Sequence, residues 1–253
     1  MSETSKTETL LDLAQPRVVV LTDRGHQYTL RCRRITDKDW AAYFSGIVVS
    51  SQQEGRERVN VRDFDSARIG LAEGVLESAE GYEVAGDVAL MSLPNWQSRV
   101  PLAHRLKLSD VLASARPAAS GEMTIQPEGE QAELDATWGA NADGKMQHFT
   151  GLKHFFATPT EEQHRRYMRE SNRSFVQGGS RSGKTIYRGA QALLAKLYDE
   201  LVQSVEGYAW EGLELVDPRE IVAAMDMHHK VMAAQELFQP QDLSTIEEDA
   251  ETE

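Results

Sequence analysis

The stretch LAEGVLESAEGY at residues 71–82 returns as LYDELVQSVEGY at residues 197–208, and this recurrence decides how the chain is read. Glu80, Gly81 and Tyr82 match Glu206, Gly207 and Tyr208. Upstream, Leu71, Val75 and Ala79 match Leu197, Leu201 and Val205. Both apolar sets step by four, the spacing of one helix face, and a glycine directly after such a run is a stop signal. The expectation is a long helix ending near each triplet.

Working outward, Thr36, Asp37, Tyr43, Pro94 and His104 correspond to Thr160, Glu161, Tyr167, Pro218 and His228, each 124 positions on, whereas the triplets lie 126 apart. A two-residue insertion between them belongs in a loop. Each half opens on a β-hairpin pattern. Val18 to Leu21 leads through Thr22, Asp23, Arg24 and Gly25 into Tyr28, Leu30 and Cys32, which alternate with polar residues. In the second half Asp143 and Gly144 supply the turn, and Met146 to Phe156 is the returning strand. Helix starts follow at Thr36 to Trp40 and Thr158 to Glu162, where threonine caps exposed amides and early carboxylates complement the dipole. Final helices begin near Pro94, with Val100, Ala103, Leu106 and Val111, and near Pro218, with Ile221, Met225, His228, Val231 and Met232.

The fold class expected is α+β: two tandem copies of a unit made of an N-terminal β-hairpin followed by a small helical bundle, mostly helical overall. Residues 1–15 form a disordered N-terminus, 16–114 the first unit, 115–131 a Pro/Gly-containing linker, 132–240 the second unit, and 241–253 an acidic disordered tail.

The chain of 253 residues carries 40 acidic against 27 basic residues, a net charge of −13, which argues against broad phosphate neutralisation on nucleic acid and favours basic partners. One cysteine, Cys32, permits no intrachain disulfide and no cysteine-based zinc site. Residues 1–9 lack the layout of a signal peptide, and no run approaches the length of a membrane span, so a cytoplasmic location is expected.

Gly178 to Thr185 satisfies the Walker A pattern and resembles the loop of P-loop NTPases, including the packaging ATPases of tailed phages. In such a site Gly178, Gly183, Lys184 and Thr185 would hold a nucleotide. The context argues otherwise. Asn172 to Gln177 is a poor core strand, few residues follow for further βα units, and Asp199 and Glu200 sit in a helical pattern rather than at a strand end. The same region of the first half, Gln52 to Val59, is a polar loop without the pattern.

His228 and His229 are adjacent, so on a helix they point about 100° apart and cannot both face one metal, even with Asp226 nearby. The equivalence of His104 with His228 points to packing or hydrogen bonding. Asp37 with Asp39, and Glu161 with Glu162, fall in first turns, where the dipole explains them. Arg31, Arg33 and Arg34 form a short basic stripe facing solvent or an acidic partner, and Trp40, Trp96 and Trp210 are read as core. No catalytic residue, metal site or cofactor is expected.

A hairpin closing in a basic or aromatic strand, then a helix start, then a compact helical body, carried here by Tyr28 to Trp40 and Lys145 to Glu162, resembles the small tail assembly proteins of tailed bacteriophages. Those families have single units where this chain has two. The resemblance implies a non-enzymatic chaperone or structural accessory, encoded by a phage or prophage, that binds another tail protein such as the tape-measure chain. Two other classes are a P-loop nucleotide-binding protein and an acidic inhibitor or nucleic-acid mimic.

Overall fold

The computed structural model describes residues 10–54, 57–86, 88–118, 129–171, 174–177, 184–187 and 190–238, with the backbone alone over 48–54, 57–63, 174–177 and 184–187. A short strand β1 (Leu11–Asp12) precedes the hairpin β2 (Arg17–Asp23) and β3 (His26–Cys32). Helix α1 (Asp37–Gly46), a second hairpin β4 (Val48–Glu54) and β5 (Glu57–Asp63), helix α2 (Asp65–Val75), strand β6 (Leu76–Glu80) and helices α3 (Trp96–Arg99) and α4 (Leu102–Leu112) follow. After β7 (Arg116–Pro117) the same order recurs. It comprises hairpin β8 (Glu130–Ala140) and β9 (Met146–Phe156), helix α5 (Glu161–Ser171), hairpin β10 (Ser174–Gln177) and β11 (Lys184–Tyr187), helix α6 (Gln191–Leu201) and strand β12 (Val202–Glu206). Two short strands, β13 (Tyr208–Trp210) and β14 (Leu213–Glu214), and helices α7 (Pro218–Ala224) and α8 (Met227–Phe238) complete it.

The first hairpin turns through Arg24 and Gly25, both at positive φ (50° and 82°), with Asp23 opposite His26. This is the two-residue turn whose twist matches the strands it joins. Strand β9 spans the residues read from the sequence, and Gly144 in the turn before it takes φ 75°. Helix α1 is capped as its sequence indicates: the Thr36 hydroxyl accepts from the Asp39 N–H, and the Asp39 carboxylate accepts from the Thr36 N–H. Thr160 and Gln163 repeat that box at α5.

Among the described residues four small sheets result: β2-β3-β6, β7-β8-β9-β12, β1-β13-β14, and an antiparallel β10-β11-β4-β5 that draws one hairpin from each half. The architecture is α+β, but it is not mostly helical, since strands hold a share of the chain comparable with that of helices. Neither recurring apolar run is one long helix. Each helix stops at Val75 or Leu201, and the chain passes directly into β6 or β12, which pair with β3 and β9.

The described residues form two neighbouring apolar cores. One gathers Val19, Leu30, Trp40, Leu71, Leu108 and Leu112; the other gathers Leu134, Phe156, Leu197, Ile221, Val231 and Phe238. Phe44 and Met227 pack against both. In α4 the buried face is His104, Leu108 and Leu112, with Val100 just ahead, rather than Ala103 and Leu106.

The expected unit limits also shift. Residues 10–15 are not an unfolded leader: Leu11 and Leu13 are buried in the second core, and β1 lies parallel to β13. The linker keeps Ala115 buried, pairs β7 with β8, and surrenders Glu130 and Gln131 to β8. Its residues 119–128, the tail 241–253 and the N-terminal residues 1–9 lie outside the described residues. Among the described residues, no helix is long and apolar enough to cross a membrane.

Candidate functional site

Gly178 and Gly183 of the Walker-like string lie outside the described residues, but Lys184 and Thr185 are placed in β11, opposite Gln177 and Val176 of β10. A phosphate loop needs a strand passing through a glycine-rich turn into a helix N-terminus, where consecutive amides converge. Here strands β10 and β11 form an antiparallel hairpin, and Thr185 also faces Ser51 of β4. Asp199 and Glu200 are engaged elsewhere. The Lys230 ammonium donates to Asp199 at 2.7 Å, and Glu200 accepts from Arg166 at 3.0 Å and from Gln163.

The histidines enter tyrosine hydrogen bonds. In the second half Tyr198 Oη meets His154 Nδ1 at 3.0 Å, His154 Nε2 meets Tyr208 Oη at 2.9 Å, and Tyr208 Oη meets His229 Nδ1 at 2.9 Å. Burial holds His154 and His229 well below the usual imidazole range and raises both tyrosines. Neutral rings with their protons on Nε2 let both tyrosine O–H groups donate along this chain, which is how a buried polar network avoids unpaired groups. The first half holds the shorter counterpart, Tyr82 Oη to His104 Nδ1 at 2.8 Å. His104 is thus bonded as His229 is, and not as His228, with which the spacing of the helix starts pairs it. His228 instead stacks beside Trp40 and Phe44 of the first half, its Nδ1 without a hydrogen-bond partner and its pKa pushed by burial to about 4.

The halves meet around Arg17. Its guanidinium donates to Leu112 O and, at 3.0 Å, to Asp226, and it lies 3.6 Å from the centre of the Trp138 ring. Both ionic side chains are almost wholly buried. Removing one partner of such a pair leaves an uncompensated charge and costs about 3–5 kcal/mol. Beside it, the backbone of β2 comes so near β8 that a Cβ on Gly139 would sit 3.1 Å from Val18 O. A cavity of about 230 Å³ opens here, lined by Leu13, Arg17, Thr36, Trp138 and Asp226.

The basic stripe is mostly spent within the fold. Arg33 forms a two-pronged pair with Asp39 at 2.7 and 2.9 Å and holds that carboxyl well below its usual range. Arg34 donates to Ala224 O and lies 4.4 Å from the Trp210 ring centre; Arg31 remains exposed. Of the tryptophans read as core, Trp40 is buried, whereas Trp96 and Trp210 are half-buried.

Trp210 and Arg34 belong to a second depression of about 370 Å³, completed by Leu213, Leu215, Glu220 and Ala223. Leu213 is 75% exposed and Val216, three residues on, is 69% exposed, more than any other large apolar side chain among the described residues. Glu214 and Glu220 line the same depression as Leu213, and Glu211 lies in the turn before it; all three are exposed. This arrangement combines an apolar floor with an acidic rim. It offers no nucleophile–base pair, and no group of three His, Cys, Asp or Glu side chains able to hold a metal occurs among the described residues.

No known protein family matches. Neither a curated protein nor a solved structure is similar to the chain either. The groove was missed in sequence because Leu213 and Val216 fall in a charged turn, where the only signal is apolar residues with no periodic partner. Arg17, Trp138 and His154 were missed for another reason: each sits at an inward position of a strand, and alternation says which way a side chain points but not what it meets.

Proposed function

We propose that the chain is a non-enzymatic protein-binding accessory, built from two copies of one module, and that it takes an apolar segment with basic flanks from another protein into the groove at Trp210 and Leu213. The observation that carries this reading is Leu213, 75% exposed, lining one depression with the half-buried Trp210 and the exposed Glu214 and Glu220. Isolated exposed leucines are ordinary, but one set between an aromatic floor and an acidic rim makes a patch of the kind that partners cover. A net charge of −13 steers basic segments toward it. The module reading is supported by the twice-occurring order of elements and by the paired Tyr–His bonds.

The resemblance of Tyr28 to Trp40 and Lys145 to Glu162 to tail assembly proteins gives the partner its class: a tail component such as the tape-measure chain, met in the host cytoplasm before assembly. Co-expression with the tail proteins encoded beside it, followed by affinity purification, is the test. Retention of one of them, with at least a tenfold affinity loss in Leu213→Lys and none in Leu102→Lys, an exposed leucine of α4 that does not line the groove, is the expected result. No retained tail protein, or equal binding by Leu213→Lys, removes the proposal.

A further inference from the structure

The sheet β10-β11-β4-β5 takes one hairpin from each half and ends on β10 at one side and β5 at the other. The two hairpins that build it have one register. Ser50↔Val61, Ser51↔Asn60, Gln52↔Val59 and Gln53↔Arg58 in the first correspond to Ser174↔Tyr187, Phe175↔Ile186, Val176↔Thr185 and Gln177↔Lys184 in the second. The outgoing positions are 124 apart and the returning ones 126 apart, so the two extra residues of the second half fall in the turn that carries the Walker-like string.

Outgoing strand β4 thus corresponds to β10, and returning strand β5 to β11. A two-fold relation would pair like with like, β5 with β11 or β4 with β10. The chain instead pairs β11 with β4, a returning strand with an outgoing one, through Thr185↔Ser51, Ile186↔Ser50 and Tyr187↔Val49. Such a head-to-tail contact does not use itself up. Its outer edges are an outgoing strand, β10, and a returning strand, β5, the same two kinds that meet at its centre. All neighbours are antiparallel, so the direction of the next strand is already correct. Neither edge contains proline, and an edge strand presents unpaired N–H and C=O groups as a template.

We propose that copies of this chain assemble head to tail, the β5 edge of one molecule pairing antiparallel with the β10 edge of the next. This rests on the two-module reading above. Transferring the internal register predicts Asn60 of one chain opposite Ser174 of its neighbour, and Val59 opposite Phe175. Opposed Cα atoms in an antiparallel pair lie about 4.5–5.5 Å apart, within reach of a disulfide. The native Cys32 is buried and does not interfere.

The experiment mixes full-length Asn60→Cys with full-length Ser174→Cys under mild oxidation. An Ile186→Cys/Ser50→Cys chain serves as the intrachain control, and the native chain is followed by light scattering over a concentration series. The expected result is a covalent dimer in the mixture that neither variant forms alone, a ladder of higher species from the Asn60→Cys/Ser174→Cys chain, and a native mass that grows with concentration. Cross-linking of Asn60→Cys with itself, or a monomeric native chain with no dimer in the mixture, overturns head-to-tail assembly while leaving the module reading intact. Failure of the intrachain control to close removes the template and the proposal with it.

Discussion

Gly81 and Gly207 show why one residue of the recurring triplet is glycine both times. Each takes positive φ (89° and 87°), where L side chains are strained. A Cβ at Gly81 would lie 2.4 Å from Gln27 O, a backbone atom of the neighbouring hairpin, whereas at Gly207 the nearest atom, at 2.9 Å, is the tip of the Leu152 side chain. Backbone cannot step aside as a leucine methyl can. Gly207→Ala is therefore expected to cost about 1 kcal/mol, the penalty of a left-handed L residue, and Gly81→Ala to cost at least about 2 kcal/mol more. Urea unfolding of the two variants measures the difference; equal midpoints would contradict it. Among single residues too, Tyr82–His104 and Tyr208–His229 make the same bond, which counting identities does not show because two adjacent histidines compete for the match.

At the scale of elements, the informative feature is the bulge. Pairing of β6 with β3 slips between Ser78 and Leu76, and pairing of β12 with β9 slips between Ser204 and Val202, so Glu77 and its counterpart Gln203 are the extra residues. A bulge places buried residues three apart in a strand, as in Leu76 and Ala79 or Val202 and Val205. That spacing prolongs the step of the preceding helix, and so each strand reads as one more helical turn. The Walker-like string is also a question of elements. A phosphate cradle is a property of a strand–turn–helix unit, and Lys184 and Thr185 lie in a hairpin strand. Titration with ATP and magnesium is expected to give the same signal for the native chain and Lys184→Ala; specific binding lost in the variant would contradict this.

Across the whole molecule, three histidines that the fold keeps neutral govern the acid limb of stability. The folded pKa values of His154, His228 and His229 lie below the ordinary 6.5, burial being the cause in each case. Below that ordinary value the unfolded chain takes up protons that the folded chain refuses, so the stabilisation is complete above about pH 6.5 and declines as pH falls, for His228 until about 4. Each histidine contributes a slope of up to about 1.4 kcal/mol per pH unit in that window. Urea midpoints are expected to be flat from pH 8 to 7 and to fall steeply between pH 6.5 and 5, above the range where Asp39 loses its pairing with Arg33. An unchanged midpoint at pH 5 would contradict it. Because His228 lies against Trp40 across the seam and His229 is bonded within the second core, the loss is shared by both halves.

Along the chain alone one can read the recurring residue pattern, both opening hairpins with their turns, the capped helix starts and the acidic composition. All of these depend on neighbours a few residues apart, whose geometry is set by local sterics and hydrogen bonding. Long-range packing is what breaks the apolar runs into helix and strand, places Leu11 and Leu13 in the second core, buries Arg17 against Asp226 and leaves Leu213 uncovered. The reason is that burial and pairing join residues up to about two hundred positions apart, as Arg17 and Asp226 are, and periodicity carries no record of which distant surface a side chain will meet.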